Sequence, residues 1–375
     1  MTKSTSLWGT WSTRSTSLWR RTATVLAAAT AAGVGVGLVA SPASAATSWE
    51  TLTVPITTQK VSVLPVGTQG LFARSESICF DASECTPTVR VWQRSGTAWK
   101  QLTPPADAAA DTLAGTADDD LWVIGSRWSA DVDFRIHHYD GSTWSANLNP
   151  EPKSLEINDA EAAGRNSVWG AGSVRGEDPD GSTTWHPAVG HWDGGSWKTT
   201  RFTDVEGTFD AVDVRNENDV WAVGSRGTQP LAMHYDGTGW REVPLTGTAG
   251  SMGTLREVFG NGPNDVWVNS GARASHWDGT SWTRHDFSAD SQAVVSFSSS
   301  NGQVLAGVNT PSTQYPKLIR WTGTAWQTDT SLTPGVRVNQ LATGGDGSLY
   351  AVSSRGDGVL FSYTSYLSRL AASTS

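Results

Sequence analysis

A chain of 375 residues with a formal charge of −9 and only 17% charged side chains is poorly suited to bind nucleic acid, which selects a basic surface. Its 39 glycines and 20 tryptophans suit short strands joined by tight turns and argue against helical bundles and disorder. Beyond the N-terminal segment no apolar run approaches the roughly 20 residues of a bilayer-spanning helix, so no stable membrane insertion is expected.

Residues 1–45 have the layout of an export signal. Arg14, Arg20 and Arg21 form its basic part, an Ala/Val/Gly stretch runs from about Ala23 to Ala40, and Ala43-Ser44-Ala45 offers a small-residue cleavage site. The Arg20-Arg21 pair leaves twin-arginine export open beside the general route. The segment STSLW occurs at Ser4 to Trp8 and again at Ser15 to Trp19, which leaves the true start open. Cleavage removes Lys3 and these three arginines but no acid, so the mature chain is more acidic still. A soluble extracellular protein is expected, with residues 46–366 as its folded domain and 367–375 as a C-terminal tail.

From Trp49 onward three aromatic series recur in register. The first is Trp49, Trp99, Trp144, Trp197, Trp240, Trp282 and Trp326. The second is Phe72, Trp122, Trp169, Trp221 and Trp267, continued by Leu305 and Tyr350. The third is Trp92, Tyr139, Trp192, Tyr235, Trp277, Trp321 and Tyr363. A period of ~45 residues marks a solenoid or a propeller, and the content of one unit decides between them. The unit from Phe209 to Leu245 reads as strand FDAVDV, a turn, strand DVWAVG, a loop, strand LAMHYD, an Asp236-Gly237 turn and strand WREVPL. Four short antiparallel strands make one propeller blade, and seven units predict an all-β, seven-bladed β-propeller. Trp49 opens a fourth strand with no first three before it, while Val338 to Tyr363 supplies three strands without a fourth. Joined, they predict a seventh blade that closes the ring.

In blade one, Cys79 and Cys85 of an exported chain are expected to form a disulfide that staples a loop. His138, His191, His234 and His276 share one repeat position. Equivalent points on different blades are too far apart for the ~2 Å bonds of a shared zinc, so a repeated hydrogen-bonding role is predicted. No HExxH, GxSxG or CxxC motif occurs. The stretch EDPDGS, Glu177 to Ser182, has acidic spacing faintly like a Ca2+ loop, but a solvated turn is the better reading and no cofactor is expected.

Two groups of residues point to a ligand. Arg127, Arg175, Arg226, Arg273 and Arg355 each follow a second strand, so they should share the propeller face that carries the loops between second and third strands. Guanidinium forks bind carboxylate and phosphate, though each could instead stack on a Trp or pair with a neighbouring acid. The same face carries Trp128, Trp185 and Tyr315 in irregular insertions, aromatics outside the three series that could form plates for a sugar ring or peptide.

The motifs DVWAVG (Asp219 to Gly224) and HWDGxxW (His191 to Trp197 and His276 to Trp282) resemble those of secreted actinobacterial β-propellers over about residues 46–366. In architecture and Trp-rich repeats the chain is also loosely similar to propeller lectins of the tachylectin and tectonin kinds. These resemblances imply a secreted, non-catalytic, lectin-like module that recognises a cell-surface or extracellular glycan through its loop face. A protein-interaction platform, such as a subunit of a secreted antibacterial toxin particle, is the alternative. A glycan-active hydrolase or lyase is a third reading. It would need loop acids such as Asp131, Asp133, Glu177, Asp178 and Asp180 to converge.

Overall fold

The computed structural model describes residues 49–77, 88–127, 133–149, 155–177, 183–247, 249–287, 293–309, 317–329, 337–356 and 363–372. Seven antiparallel sheets follow one another around a ring. Blade one holds β2 (Lys60–Val66), β3 (Gly70–Glu76), β4 (Val89–Ser95) and β5 (Ala98–Leu102). Blade two holds β6 (Thr112–Ala117), β7 (Asp120–Arg127) and β8 (Asp133–Tyr139), its outer strand reduced to the bridge Tyr139↔Trp144. Blade three holds β9 (Leu155–Gly164), β10 (Ser167–Glu177), β11 (Thr183–Trp192) and β12 (Trp197–Arg201). Blade four holds β13 (Gly207–Asn216), β14 (Asp219–Arg226), β15 (Gln229–Tyr235) and β16 (Trp240–Glu242). Blade five holds β17 (Glu257–Gly262), β18 (Asp265–Ser270), β19 (Arg273–Trp277) and β20 (Trp282–Asp286). Blade six holds β21 (Ala293–Ser300), β22 (Gln303–Asn309), β23 (Lys317–Trp321) and β24 (Trp326–Thr328).

Blade seven combines both ends of the chain. β25 (Arg337–Thr343), β26 (Leu349–Gly356) and β27 (Tyr363–Leu370) are completed by β1 (Glu50–Leu52), with Glu50 opposite Arg369 and Leu52 opposite Leu367. The predicted closure is therefore present. Its last strand reaches Leu370, so residues 367–370 belong to the blade and not to the expected tail.

Second strands are buried on both faces because each lies between two neighbouring sheets, as the run Val220 to Val223 shows. The glycine ending DVWAVG has a steric cause. A Cβ on Gly224 would sit 2.0 Å from the Thr208 carbonyl oxygen, and one on Gly172 would sit 1.8 Å from that of Glu156. The first strand bulges towards the second at these points, between Phe209 and Ala211 in blade four.

Pairing registers correct two members of the third aromatic series. In blade four, Val220 faces Tyr235, Trp221 faces His234 and Tyr235 faces Trp240. In blade one, Phe72 faces Gln93 and Arg94 faces Trp99, so Arg94 holds the position expected for Trp92. In blade seven, Leu349 faces Leu370, which takes the place expected for Tyr363. Spacing alone missed both because the substitutes are not aromatic.

Neighbouring blades join at the axis through side chains that satisfy exposed inner-strand backbone groups. The Asp159 carboxylate accepts the Val212 N–H at 3.0 Å and that of Glu161 accepts the Val214 N–H at 2.6 Å. Between blades seven and one, the Gln340 amide accepts from the Val63 N–H at 2.9 Å and donates to its carbonyl at 2.8 Å.

Candidate functional site

A propeller has two unlike faces. One carries the tight turns between first and second and between third and fourth strands, and the other carries the longer loops. Among the described residues blade three has the longest second-to-third-strand hairpin on the loop face, formed by β10 and β11. In it Arg175 stands opposite Trp185, which puts both side chains on one side of the ribbon. Arg175 Nη2 donates to Thr183 Oγ1 at 3.2 Å. On the other side His186 turns inward, its Nδ1 2.9 Å from the Val205 carbonyl, in space left by the missing side chain of Gly176. The inner side of the hairpin is thereby anchored to the blade. Trp185 remains 37% exposed and is the one exposed large hydrophobic among the described residues.

The other arginines of the expected ring are dispersed. Arg226 is paired with Glu242 of its own blade at 2.7 Å, and Arg273 donates to the Ser251 carbonyl at 3.2 Å in a 3-10 turn (Ala249–Ser251). Arg355 is exposed at the end of β26. Arg127 ends β7, but its side chain lies outside the described set, as do Trp128, Tyr315, Cys79 and Cys85. Two loop-face arginines escaped the sequence reading: Arg256 pairs with Asp210 across blades four and five at 2.7 Å, and Arg284 donates to Ser251 Oγ at 2.8 Å. Neither follows a second strand, so the positional rule passed over them. Among the described members of the predicted set, only Arg175 and Trp185 are brought together.

The histidine row has the predicted structural role. His138, His234 and His276 place Nε2 2.9 Å from the Oδ1 of Asp120, Asp219 and Asp265. His191 contacts Ser167 Oγ at 3.2 Å. Each ring stacks on its own blade's buried Trp, with centroids 3.8–4.5 Å apart. Burial alone would raise the Asp120 and Asp265 carboxyls. Hydrogen bonds outweigh it, chiefly those from His138 and Thr116 and from His276, Asn261 and Trp267, and hold both below the ordinary value. Among the described residues no group of three His, Cys, Asp or Glu side chains is placed to hold a metal ion, and no helix is long and apolar enough to cross a membrane.

No family model matches the sequence, and no curated protein matches it either. Solved structures do. A structure of YCF48 bound to a D1 peptide is 14% identical, with a TM-score of 0.56, and the match covers 87% of this chain and 97% of that one. A chain of the mitotic checkpoint complex is 12% identical at a TM-score of 0.56, covering 91% and 98%. Streptogramin B lyase is 12% identical at 0.53, covering 85% and 97%. The likeness is one of fold alone. A peptide-bound propeller and a lyase share it, so it leaves activity to the site.

Proposed function

We propose that the protein is a secreted, non-catalytic recognition propeller that binds an extracellular or cell-surface glycan on its loop face. Trp185 carries this reading. It is an isolated exposed indole on an anchored hairpin, flanked by the Arg175 guanidinium and the Thr183 hydroxyl. Such a plate ringed by hydrogen-bonding groups suits a sugar ring, with apolar C–H groups on its face and hydroxyls at its edge. Docking of a protein-sized partner asks for a contiguous apolar patch. Trp128, Tyr315, Arg127 and Arg355 belong to the same proposed face, and export with a Cys79–Cys85 disulfide belongs to the same proposal. The likeness to secreted actinobacterial propellers and, loosely, to propeller lectins supports it through the DVWAVG and HWDGxxW motifs.

A protein-interaction platform is the second reading, favoured by the fold shared with peptide-bound YCF48 and with a chain of the mitotic checkpoint complex. A bacterial and fungal glycan array, probed with the chain from residue 46 and its Trp185→Ala and Arg175→Ala variants, separates the two. Binding lost in Trp185→Ala supports the glycan reading. A blank array from folded protein overturns it in favour of a protein partner.

A further inference from the structure

The repeat also shows where a side chain is missing. On the turn face, each of blades two to five tucks the second residue of its first turn under the glycine of its last turn. A Cβ on Gly141, Gly194, Gly237 or Gly279 would lie 2.4–3.0 Å from Asp119, Asn166, Asn218 or Asn264 respectively. Blade six breaks this pattern. Its turn residue is Gly302, and neither Gly302 nor the partner glycine Gly323 would bring a Cβ within 4 Å of any atom. The vacated space is a recess of about 390 Å3 between blades five and six.

The walls of this recess are chemically mixed. Blade five contributes Asn264 and the Asp265–His276 pair, and blade six contributes Gln303, Thr322 and the Trp321 ring. The lining holds no Lys or Arg to recruit an anion. Asp265 is occupied: its Oδ1 accepts from Trp267 Nε1 at 2.8 Å as well as lying 2.9 Å from His276 Nε2, and its Oδ2 accepts from Asn261 at 2.8 Å. His276 differs from its counterpart in blade four. There Arg241 Nη2 lies 3.0 Å from His234 Nδ1, whereas β20 offers Thr283 opposite His276, whose Nδ1 has no partner among the described residues. Two carboxamides, the His276 ring, Val304 and an indole thus line the recess around two glycines.

We propose that this recess is a second binding site, on the face opposite Trp185, for an uncharged pyranose unit of a glycan. Carboxamides both donate and accept, as sugar hydroxyls require. The indole, with Val304 beside it, offers the apolar surface, and the recess lies within the size range of small-ligand sites. The site depends on Gly302 and His276 and is independent of the loop-face hairpin.

Saturation-transfer NMR on the folded chain with D-glucose, D-galactose, D-mannose and N-acetyl-D-glucosamine tests it. Gln303 is exposed, so Gln303→Trp fills the recess without entering the core. In the Trp185→Ala background, which silences the loop face, the proposal expects transfer to at least one sugar that vanishes when Gln303→Trp is added and weakens about tenfold when Asn264→Ala and Gln303→Ala are added, a change of ~1.4 kcal/mol. Transfer that survives Gln303→Trp in the Trp185→Ala background, or none to any of the four sugars in Trp185→Ala itself, overturns it. Loss of array binding in Trp185→Ala would speak only to the loop face, so the two sites fail separately.

Discussion

Blades two to five and blades six, seven and one solve the same packing problem with different chemistry. In the first group Trp122, Trp169, Trp221 and Trp267 are each stacked by a histidine of their own blade. Each also meets an aromatic pair from the next blade, as Trp221 meets Trp277 and Trp282 at 6.4 and 6.0 Å. In the second group the equivalent positions are Leu305, Tyr350 and Phe72, and the histidine is replaced by Arg320, Arg369 and Gln93. Arg369 ties to Asp346 at 2.8 Å and to Ser348 at 2.9 Å. The axial seams differ in parallel, with the carboxylates Asp159 and Glu161 on one side and the neutral Gln340 amide on the other. A repeat fold therefore need not be equally strong around its ring. The blade that must join the two chain ends relies on a three-residue strand and on packing with no stacked Trp–His pair, in which Tyr350 and Trp49 meet aliphatic side chains.

The largest expected effect lies in the aromatic half. Trp221→Ala removes a buried indole from a four-ring contact and should cost about 3–5 kcal/mol. Leu305→Ala, at the equivalent place in blade six, should cost about 2–5 kcal/mol. Urea titrations of both variants sharpen the comparison, and equal costs with an unchanged aromatic environment in near-UV circular dichroism would break it.

Next is the neutral clamp. Gln340→Ala leaves the Val63 N–H and carbonyl unpaired in a buried seam, each costing about 1–3 kcal/mol. Gln340→Glu keeps the acceptor but removes the donor, so it should recover part of that loss at neutral pH. A thermal melt in which Gln340→Glu is no better than Gln340→Ala would show that the seam does not depend on these bonds.

Acid should act on the aromatic half first. Burial between Trp267 and Trp321, with repulsion from His276, pushes the His285 imidazole down from 6.5 to about 4. An unfolded His285 takes up its proton near pH 6.5 and the folded one does not. Stability from this group is therefore full above pH 6.5 and is lost as pH falls towards 4. Asp120 and Asp265, held low in the fold, add a further loss below about pH 4. His285→Leu should flatten the fall in melting temperature between pH 6.5 and 4.5. An unchanged slope would contradict the assignment. The smallest effect is expected at Arg226→Ala, which breaks an exposed pair and should move stability by less than about 1 kcal/mol.

The ring was legible in the sequence because its determinants repeat. Trp at one register, Asp-Gly turns and small inner-strand residues recur, and the unpaired Trp49 strand marks the closure. What was not legible is what does not repeat as a residue type. Arg94 and Leu370 fill aromatic positions through pairing register. Leu367 to Leu370 looked like a tail because a strand with a sequence-distant partner gives no local sign of its end. The recess of blade six is signalled only by an absent side chain at Gly302, visible once the neighbouring turns can be superposed. For the expected arginine ring, sequence offered pairing with a neighbouring acid as the alternative to ligand binding, but it could not single out Glu242 of the same blade or the Ser251 carbonyl as the partners of Arg226 and Arg273.

Native-state hydrogen exchange, read strand by strand, tests the unequal ring most directly. Amides of β1 and β27 should open at lower free energy than those of β14, because closure rests on three paired residues while β14 is locked between aromatic seams. Uniform protection around the seven blades, or earlier exchange in β14 than in β27, would contradict it.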